Sequence, residues 1–390
     1  MKILVFSPVS LEYGRGGEIS TLELASGLSE FYDVSLIDTS VLPGKKSLSR
    51  DKILKKTRKI RKLATIYFAT IHIFGRVLTF PYPREIKRLF NQIRNSDIVY
   101  FSISTIKTSL IFLLAKLIYR KVHFIIGYRK PFNIDKLLSL FNLKYRINIC
   151  LLSLFKKRIF HHALSIHAKN FLENFYNPQK VIHITHGIEV EAFRDKKKKK
   201  NDNYLNFIYI GHFDDEHKGV NVLLKGIKLF LIDNKGLPVR FEFCGKGPLE
   251  SNIRSLEKEF PNHIIFSGYI EHNQILKYYG KNDVFLFTSR VEPFPRTIME
   301  ALAGRLLILA SKTIGSIELL LMKDFGFFLS NLKPEDIKQK LIEIYKIWKH
   351  KPERIRSLQK GAQRYVFNNY TIEKEIEGFR ELIRQIKKHK

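Results

Sequence analysis

Strand-like and helix-like patterns alternate along almost the whole chain. The opening MKILVFSPV is typical of a buried strand, EISTLELASGLSEF (18–31) of an amphipathic helix, and DVSLID (33–38) of a second strand. Further strand-like runs in the first half lie at 96–103, 121–128 and 180–188. This βαβ order predicts parallel sheets with helices on both faces, because parallel neighbours are joined by a helical crossover.

The alternation stops at a hydrophilic run and then begins again. DKKKKKNDN (195–203) is mostly charged and is interpreted as a linker, although a solvated loop within one domain has the same composition. Strand-like runs resume at 204–213, 239–245, 263–270, 282–289 and 306–311. A chain of 390 residues, 45% of them hydrophobic, is long enough to bury two cores.

The predicted fold is therefore α/β, with two Rossmann-like doubly wound domains facing across a cleft. The predicted limits are 1–194 for the N-terminal domain, 195–203 for the linker and 204–365 for the C-terminal domain. Residues 366–390, with a helix break near 368–371, are predicted to pack back toward the N-terminal domain. Such folds bind ligands at the carboxyl ends of their strands, so we expect the site in the cleft.

Cysteine and histidine usage argues against a disulfide framework and against a metal centre. The two cysteines, Cys150 and Cys244, are far apart in sequence, which favours a reducing compartment. His161, His162, His167 and His183 show no metal-ligand spacing and are interpreted as structural. The longest uncharged apolar run, 63–75, is shorter than the roughly 20 residues that cross a bilayer, and no cleavable signal is evident. We expect a cytoplasmic protein.

Positive charge is concentrated in one part of the chain. Residues 51–200 hold 32 Lys and Arg against 8 Asp and Glu, a net of +24, out of +31 for the whole chain. The runs 51–74 and 136–160 mix cations with apolar residues and resemble helices that lie in a membrane interface. An anionic membrane surface, nucleic acid and an ordinary solvated basic face all remain open, and the membrane is favoured because no nucleic-acid-binding motif accompanies the charge. We therefore expect peripheral association with the inner face of the cytoplasmic membrane.

The second half carries charged residues at points where strands end. Lys218 follows a strand-ending glycine in GHFDDEHKGV (211–220), and it precedes a helix whose amino end can face the same anion. Glu292 and Glu300 lie eight positions apart around a Pro-Phe-Pro turn. A diphosphate needs cations and amide donors, whereas sugar hydroxyls need carboxylate acceptors. The pattern predicts one elongated ligand with both kinds of group.

The stretch EPFPRTIME, an E-x7-E motif, closely resembles the C-terminal domain of retaining GT-B glycosyltransferases of the group 1 family, glycosyltransferase family 4. The GHF…KG segment, the CGKGPLE loop (244–250) and FSGYI (266–270) precede it in the order typical of that family. Residues 204–320 carry most of the resemblance. GRGGEIS (14–20) and HGIEVEAF (186–193) extend it to the first half.

The resemblance implies a role for each matching residue. Glu300 would hold the nucleotide ribose, Glu292 would lie near the hydroxyls and reacting face of the donor sugar, and Lys218 would bind the donor diphosphate. The other implied donor-side residues are His212, Gly245, Gly247, Gly268 and Ile270 beside the base, Phe294 and Arg296. Gly16 and Gly17 are also assigned to donor binding, although the N-terminal glycine loop that they match approaches either the diphosphate or the acceptor. Such enzymes use no bound metal or other cofactor, because fixed cations and helix amino ends stabilise the leaving diphosphate.

Some positions depart from the family pattern. His212 stands where the family usually has Arg, and we hypothesise that Arg296 supplies part of the missing charge. Pro295 replaces a common glycine and removes one backbone donor. Tyr128 and Arg129 occupy the region where family members often carry a catalytic-side histidine, and they are assigned to the acceptor side.

The function that the resemblance implies is hexosyl transfer from a nucleoside diphosphate sugar, with retention of anomeric configuration, in cell-envelope glycan synthesis. The basic first half favours a lipid-linked or polysaccharide-precursor acceptor at a membrane, and nucleic acid is not an expected partner. A non-catalytic nucleotide-sugar-binding protein on the same scaffold is the main alternative. A phosphorylase or epimerase on the same architecture is a closer enzymatic alternative, and a basic nucleic-acid-binding protein is less favoured.

Overall fold

The computed structural model describes residues 1–13, 16–40, 60, 62–73, 76–119, 121–129, 152, 159–174, 176–194, 203–271, 274–320 and 324–388. The chain divides into two compact units, one of Met1–Gly187 with Ile372–Lys390 and one of Ile188–Thr371. It leaves the first unit at Gly187 and returns to that unit at Ile372. The predicted linker lies outside the described residues except for Asn203, and the predicted domain limits remain predictions.

An eight-stranded sheet forms the centre of the first unit. Its described elements are β1 (Lys2–Phe6), α1 (Gly16–Leu28), β2 (Asp33–Ser40), β3 (Lys62–Ile73), β4 (Arg76–Pro81), α2 (Pro83–Arg94), β5 (Ile98–Phe101), α3 (Ile106–Ile118), β6 (His123–Tyr128), β7 (Ile159–Ala163), α4 (Ile166–Glu173) and β8 (Val181–His183). The strand order is β4-β3-β2-β1-β5-β6-β7-β8, with β3 and β4 antiparallel and the other pairs parallel. The order reverses between β1 and β5, which is where doubly wound sheets bind ligands.

The second unit contains a six-stranded parallel sheet. Its described elements are β9 (Leu205–His212), α5 (Val220–Asp233), β10 (Val239–Lys246), α6 (Glu250–Glu259), β11 (Ile264–Gly268), α7 (Ile275–Tyr279), β12 (Val284–Phe287), α8 (Arg296–Ala303), β13 (Leu307–Ala310), α9 (Ile314–Leu320), β14 (Gly326–Phe328), α10 (Pro334–His350) and α11 (Pro352–Asn369). The strand order is β11-β10-β9-β12-β13-β14. Here the order reverses between β9 and β12, so the loops that follow these two strands meet at one edge.

The last helix, α12 (Ile372–Lys388), belongs to the first unit. Its buried face, which includes Phe379, Leu382 and Ile383, joins the core on the α1 side of the sheet. A Cβ at Gly27 of α1 would lie 2.1 Å from Cδ1 of Ile376, so the Ile376 side chain packs where a larger residue would force it to move. The described C-terminal region is therefore helical with a break at residues 370–371, as the sequence predicts.

Parallel strands buried on both faces explain the continuous apolar runs in the sequence. Along β1, Leu4 and Phe6 enter one core, whereas Ile3 and Val5 enter the core on the opposite face. This separation follows from the two-residue period of a strand. All four side chains are buried because helices cover both faces of the sheet.

The strand-like runs named in the sequence each contain a strand, which confirms the predicted α/β class. Four strands had not been predicted: β3, β4, β7 and β14. Two of them, β7 and β14, are five and three residues long. Runs of that length contain too few residues to display a clear period.

The prediction of an interfacial helix within 51–74 was wrong for the residues that the structure describes. Residues 62–73 form β3, which pairs with β2 and β4. The run LATIYFATIHI is rich in β-branched and aromatic residues, whose restricted side chains favour a pleated strand. The basic residues 51–59 and nearly all of 136–160 lie outside the described residues, apart from Leu152, which is helical, and the start of β7.

Candidate functional site

The loop between β9 and α5 fixes the backbone of Lys218. The Asp214 carboxylate accepts hydrogen bonds from the amides of His217 and Lys218, at 2.7 and 3.2 Å. The Thr288 hydroxyl, just after β12, donates to the Lys218 carbonyl at 2.9 Å. Lys218 is thus held from the ends of both strands that flank the reversal in strand order.

Gly219 lets this loop enter α5 at close range to β12. Its φ of +62° is left-handed, and a Cβ there would lie 2.5 Å from the Thr288 carbonyl oxygen. Any other residue would therefore be strained and would also push the loop away from Thr288. Lys218 consequently lies immediately before the amino end of a 14-residue helix, where an anion is stabilised.

The side chain of Lys218 pairs with Glu292. Its Nζ lies 2.6 Å from Oε2 of Glu292, and both side chains are roughly three-quarters buried, at 29% and 23% exposure. The Glu292 carbonyl accepts a hydrogen bond from the Gly315 amide at 3.1 Å, which ties its loop to α9. The structure thus brings together the predicted diphosphate lysine and the predicted sugar-binding carboxylate.

Glu300 lies on α8 in a more enclosed position. The Tyr279 hydroxyl donates to its Oε2 at 3.3 Å, and Nε of Arg296 lies 3.9 Å from its Oε1. Both Arg296 and Glu300 are buried. Burial, with the charge and hydrogen bond of Glu300 as smaller causes, raises the pKa of Tyr279 well above its usual value, so the hydroxyl remains a donor.

Arg296 occupies the first position of α8, one turn before Glu300. Its guanidinium therefore approaches the carboxylate that is expected to bind ribose. His212, which stands where the family usually has the arginine whose charge Arg296 was hypothesised to supply, ends β9 and is exposed. Phe294 is buried and packs on Tyr370, with 5.7 Å between ring centroids. Its ring supports the loop from the core side.

Glycines bring the ends of β9 and β10 into unusually close contact. Gly245 has a φ of +150°, and a Cβ there would lie 1.9 Å from the Gly211 carbonyl oxygen. A Cβ at Gly247 would lie 2.5 Å from the Phe213 carbonyl oxygen. Gly268 ends β11 with a φ of +66°, and Ile270 beyond it is buried. These glycines set the shape of the edge through the backbone alone.

The predicted residues of the first unit lie at the carboxyl edge of its own sheet. Gly16 is the first residue of α1, and the Gly17 carbonyl accepts from Nη1 of Arg129 at 3.3 Å. Tyr128, predicted on the acceptor side, has its side chain in the core, where its hydroxyl lies 3.0 Å from Nδ1 of His161. Arg129 is the member of this pair whose side chain faces α1.

Sequence reasoning missed Tyr279, Asp214 and Thr288. Tyr279 meets Glu300 across 21 residues and Thr288 meets Lys218 across 70, so no local spacing reveals either contact. Asp214 could have been found, because an aspartate three or four residues before a turn commonly accepts from its amides. Within the described part of the chain, no group of three or more His, Cys, Asp and Glu residues could hold a metal ion.

Residues 190–364 match the family model for glycosyl transferases group 1. An uncharacterized glycosyltransferase of Methanocaldococcus jannaschii is 25% identical over 242 residues, which cover 60% of this chain and 60% of that protein. The curated relatives that this chain matches are each aligned over less than two thirds of their own length.

Solved structures show the same fold over nearly the whole chain. HepE of Anabaena, in complex with UDP and glucose, gives a TM-score of 0.74 at 15% identity, covering 97% of this chain and 98% of that one. A glycosyltransferase from Rickettsia africae gives 0.74 at 20% identity, covering 100% and 99%. Residues 190–364 thus match the group 1 glycosyltransferase family, and the two Rossmann-like sheets have the fold of GT-B glycosyltransferases.

Proposed function

We propose that this protein transfers a sugar from a nucleoside diphosphate sugar to a hydroxyl-bearing acceptor, with retention at the anomeric carbon. The observation that carries the proposal is the pair formed by Lys218 and Glu292 beside the start of α5, with Glu300 enclosed on the following helix. A cation, a helix amino end and two carboxylates match a ligand that has a diphosphate between two hydroxyl-bearing groups. The match to the group 1 family over this same segment supports it.

Lys218 has the central role in the proposed reaction. Its ammonium and the amide groups at the start of α5 receive the donor diphosphate, whose negative charge grows as the bond to the sugar breaks. Fixed positive groups stabilise that charge without a bound metal. Binding of the diphosphate draws Lys218 away from Glu292, and the freed carboxylate accepts from hydroxyls of the donor sugar.

Glu300 is assigned to the nucleoside end of the donor. A carboxylate can accept two hydrogen bonds from the neighbouring hydroxyls of a ribose, and the Tyr279 hydroxyl and Arg296 hold it in one orientation. Anabaena HepE is solved with UDP and with UDP-glucose, which supports a uridine donor as the first to test. Retention is proposed from the resemblance to the retaining family.

The acceptor is proposed to lie at a membrane surface. On α3, Leu110, Leu114, Leu117 and Ile118 are 48% to 63% exposed and share one face of the helix, whereas Phe112 is buried on the other side. Exposed aliphatic side chains at that spacing are typical of a helix that contacts lipid.

Helix α2 packs on the same core as α3 and carries exposed positive charge. Arg84, Lys87 and Arg88 are exposed on α2, and Leu89 of α2 enters the same core as Phe112 of α3. An exposed apolar face and exposed basic residues on two helices that share a core fit a bilayer with anionic lipid. None of the described helices is both long and apolar enough to cross a membrane.

Incubation of the purified protein with a panel of nucleoside diphosphate sugars and a membrane extract tests the proposal. The expected result is a glycosylated product whose anomeric configuration, measured by NMR, equals that of the donor. Release of nucleoside diphosphate with inversion would refute retention. Saturable binding of donor with no turnover for any acceptor would instead favour the non-catalytic alternative.

A further inference from the structure

Arg129 is a buried cation with an incomplete set of partners. It follows the end of β6 and is 8% exposed. Its hydrogen bonds to described residues are donated by Nη1, to the Gly17 carbonyl at 3.3 Å, the Ser20 hydroxyl at 3.3 Å and the Thr21 hydroxyl at 3.0 Å. In the structure as described, Nε and Nη2 are shielded from solvent and have no hydrogen-bond partner.

This arrangement is unusual because arginine is always protonated in proteins. Its three acceptors are neutral, and no carboxylate among the described residues lies within ion-pair distance of its guanidinium. The nearest carboxylate link is indirect: Ser20 lies 2.8 Å from Nδ1 of His186, which lies 3.3 Å from Oε1 of Glu375. The guanidinium carbon also lies over the Tyr100 ring, 5.9 Å from its centroid, but an aromatic face is not a counter-charge. A buried charge without a direct counter-charge is costly, which makes Arg129 a candidate for binding an anionic ligand.

The two unpaired donors are adjacent on the guanidinium. Nε–H and one N–H of Nη2 lie in the guanidinium plane and run roughly parallel along one edge, so together they match the two oxygens of a carboxylate or of a phosphate. Their present shielding means that a neighbouring side chain must move aside when such a group enters. The hydrogen bonds donated by Nη1 hold the guanidinium in place while the anion enters.

The surroundings of Arg129 favour an anion. Gly16 begins α1, a 13-residue helix whose amino end carries partial positive charge, and Arg129 contacts the first turn of that helix. Ser102, just beyond the end of the neighbouring strand β5, is fully buried, and its hydroxyl has no hydrogen-bond partner among the described residues. Both positions lie at the carboxyl edge of the sheet, next to the reversal in strand order between β1 and β5.

We propose that Arg129 binds a phosphate or carboxylate group of the acceptor at the carboxyl edge of the first unit's sheet, which makes the acceptor an anionic glycan or glycolipid. The identification of this anion as part of an acceptor rests on the proposed transferase function. The anion site itself rests on the two donors of Arg129 and the buried hydroxyl of Ser102 that have no hydrogen-bond partner among the described residues.

Calorimetric titration of the full chain with inorganic phosphate tests the site. The titration uses Lys218→Ala protein, so that the proposed donor site does not contribute. We expect saturable binding that weakens at least tenfold when Arg129→Gln is added, and that persists with Arg94→Gln, which removes an exposed arginine of α2. Equal phosphate binding with and without Arg129 would overturn the proposal.

Titration with UDP separates the two possible sources of the anion. In protein with Lys218 intact, Arg129→Gln should leave UDP affinity within about twofold, because the diphosphate belongs to the second unit's loop. If Arg129→Gln abolishes UDP binding, the anion is that of the donor and the acceptor assignment fails. Sugar transfer is measured in a separate assay. If no transfer is found, the proposed function fails, but phosphate binding by Arg129 can still be observed.

Thermal unfolding distinguishes a ligand site from a structural ion. Arg129→Met should be as stable as the unsubstituted protein or more so, since Ser20 keeps His186 and Thr21 keeps the Gly17 carbonyl as partners. A marked drop in the unfolding temperature would identify Arg129 as a structural cation and contradict the proposal. Arg129→Lys should keep the charge but lose the paired donors, and hence should bind phosphate more weakly.

Discussion

Lys218 and Glu292 form a direct ion pair, with 2.6 Å between Nζ and Oε2, although 74 residues separate them in the sequence. The pair is partly exposed, so its own contribution to stability is small and a stronger anion can replace the carboxylate. A nucleoside diphosphate carries at least two negative charges, and it would therefore compete with Glu292 for the ammonium. In the proposed reaction, binding of the donor and release of Glu292 from Lys218 are therefore coupled.

Replacing each member of this pair should give opposite effects on UDP binding. Lys218→Ala should weaken UDP roughly tenfold or more, because one charge-assisted bond is worth about 1.5 to 3 kcal/mol. Glu292→Gln should leave UDP affinity unchanged or raise it, since the competing carboxylate is gone, while it lowers the turnover number. Calorimetry with UDP and a transfer assay measure the two effects, and a parallel loss of UDP affinity in both variants would contradict the assignment.

Glu300→Gln should weaken UDP without weakening pyrophosphate. The neutral amide accepts less strongly from ribose hydroxyls, and a loss of roughly tenfold is expected for a single charge-assisted contact. Pyrophosphate has no ribose, so its binding should depend on Lys218 and not on Glu300. Glu343→Gln, at a half-exposed ion pair on α10, is the matched control. Equal losses for UDP and pyrophosphate would place Glu300 at the diphosphate instead.

Acid should destabilise the first unit before the second. Burial, aided by the charge of Lys180, lowers the pKa of His161 to about 3, and burial with the charge of Arg129 lowers the pKa of His162 to about 3. Both imidazoles are neutral in the folded chain but bind protons once unfolded. The free energy of unfolding is therefore unaffected above about pH 6.5 and falls below it by about 1.4 kcal/mol per pH unit for each histidine, down to about pH 3.

Urea unfolding at several pH values measures this slope. The single tryptophan, Trp348, lies in the second unit, so its fluorescence follows that unit, whereas circular dichroism follows both. His161→Phe preserves the stacking on Tyr176, whose ring centroid lies 3.7 Å away, and should reduce the slope seen by circular dichroism. His167→Phe, at an exposed position on α4, should leave it unchanged. An identical slope in His161→Phe would mean that folding does not lower the pKa of this imidazole.

Charged residues on the exposed face of α3 should release the protein from lipid. The double variant Leu114→Asp with Leu117→Asp replaces apolar area, worth about 1.5 to 3 kcal/mol per side chain when buried, with charges that anionic lipid repels. Binding to vesicles of phosphatidylglycerol should fall at least tenfold by sedimentation, whereas Ile232→Asp, at an exposed site on α5, should have no effect. Unchanged binding in the double variant would remove α3 from the membrane contact.

Local pattern was sufficient for the class of fold. Apolar runs such as IYIGH and FLFTS are bounded by glycine or polar residues and alternate with amphipathic segments, and that order permits only helix-covered parallel sheets. The same reasoning failed at 62–73, where cations next to apolar residues suggested a helix and β-branched side chains formed β3 instead. Charge near a segment does not fix its backbone conformation, whereas side-chain branching restricts it directly.

The sequence by itself determined the parallel α/β architecture and placed Lys218 and Glu292 after strands, with Glu300 in the helical run that follows, because both results depend on spacing over a few residues. Only the tertiary structure decided that Lys218 pairs with Glu292, that Tyr279 orients Glu300 and that Arg129 reaches α1 across more than a hundred residues. Those contacts depend on strand order and on close approach at glycines such as Gly219 and Gly245, which are properties of the packed sheets rather than of any local run.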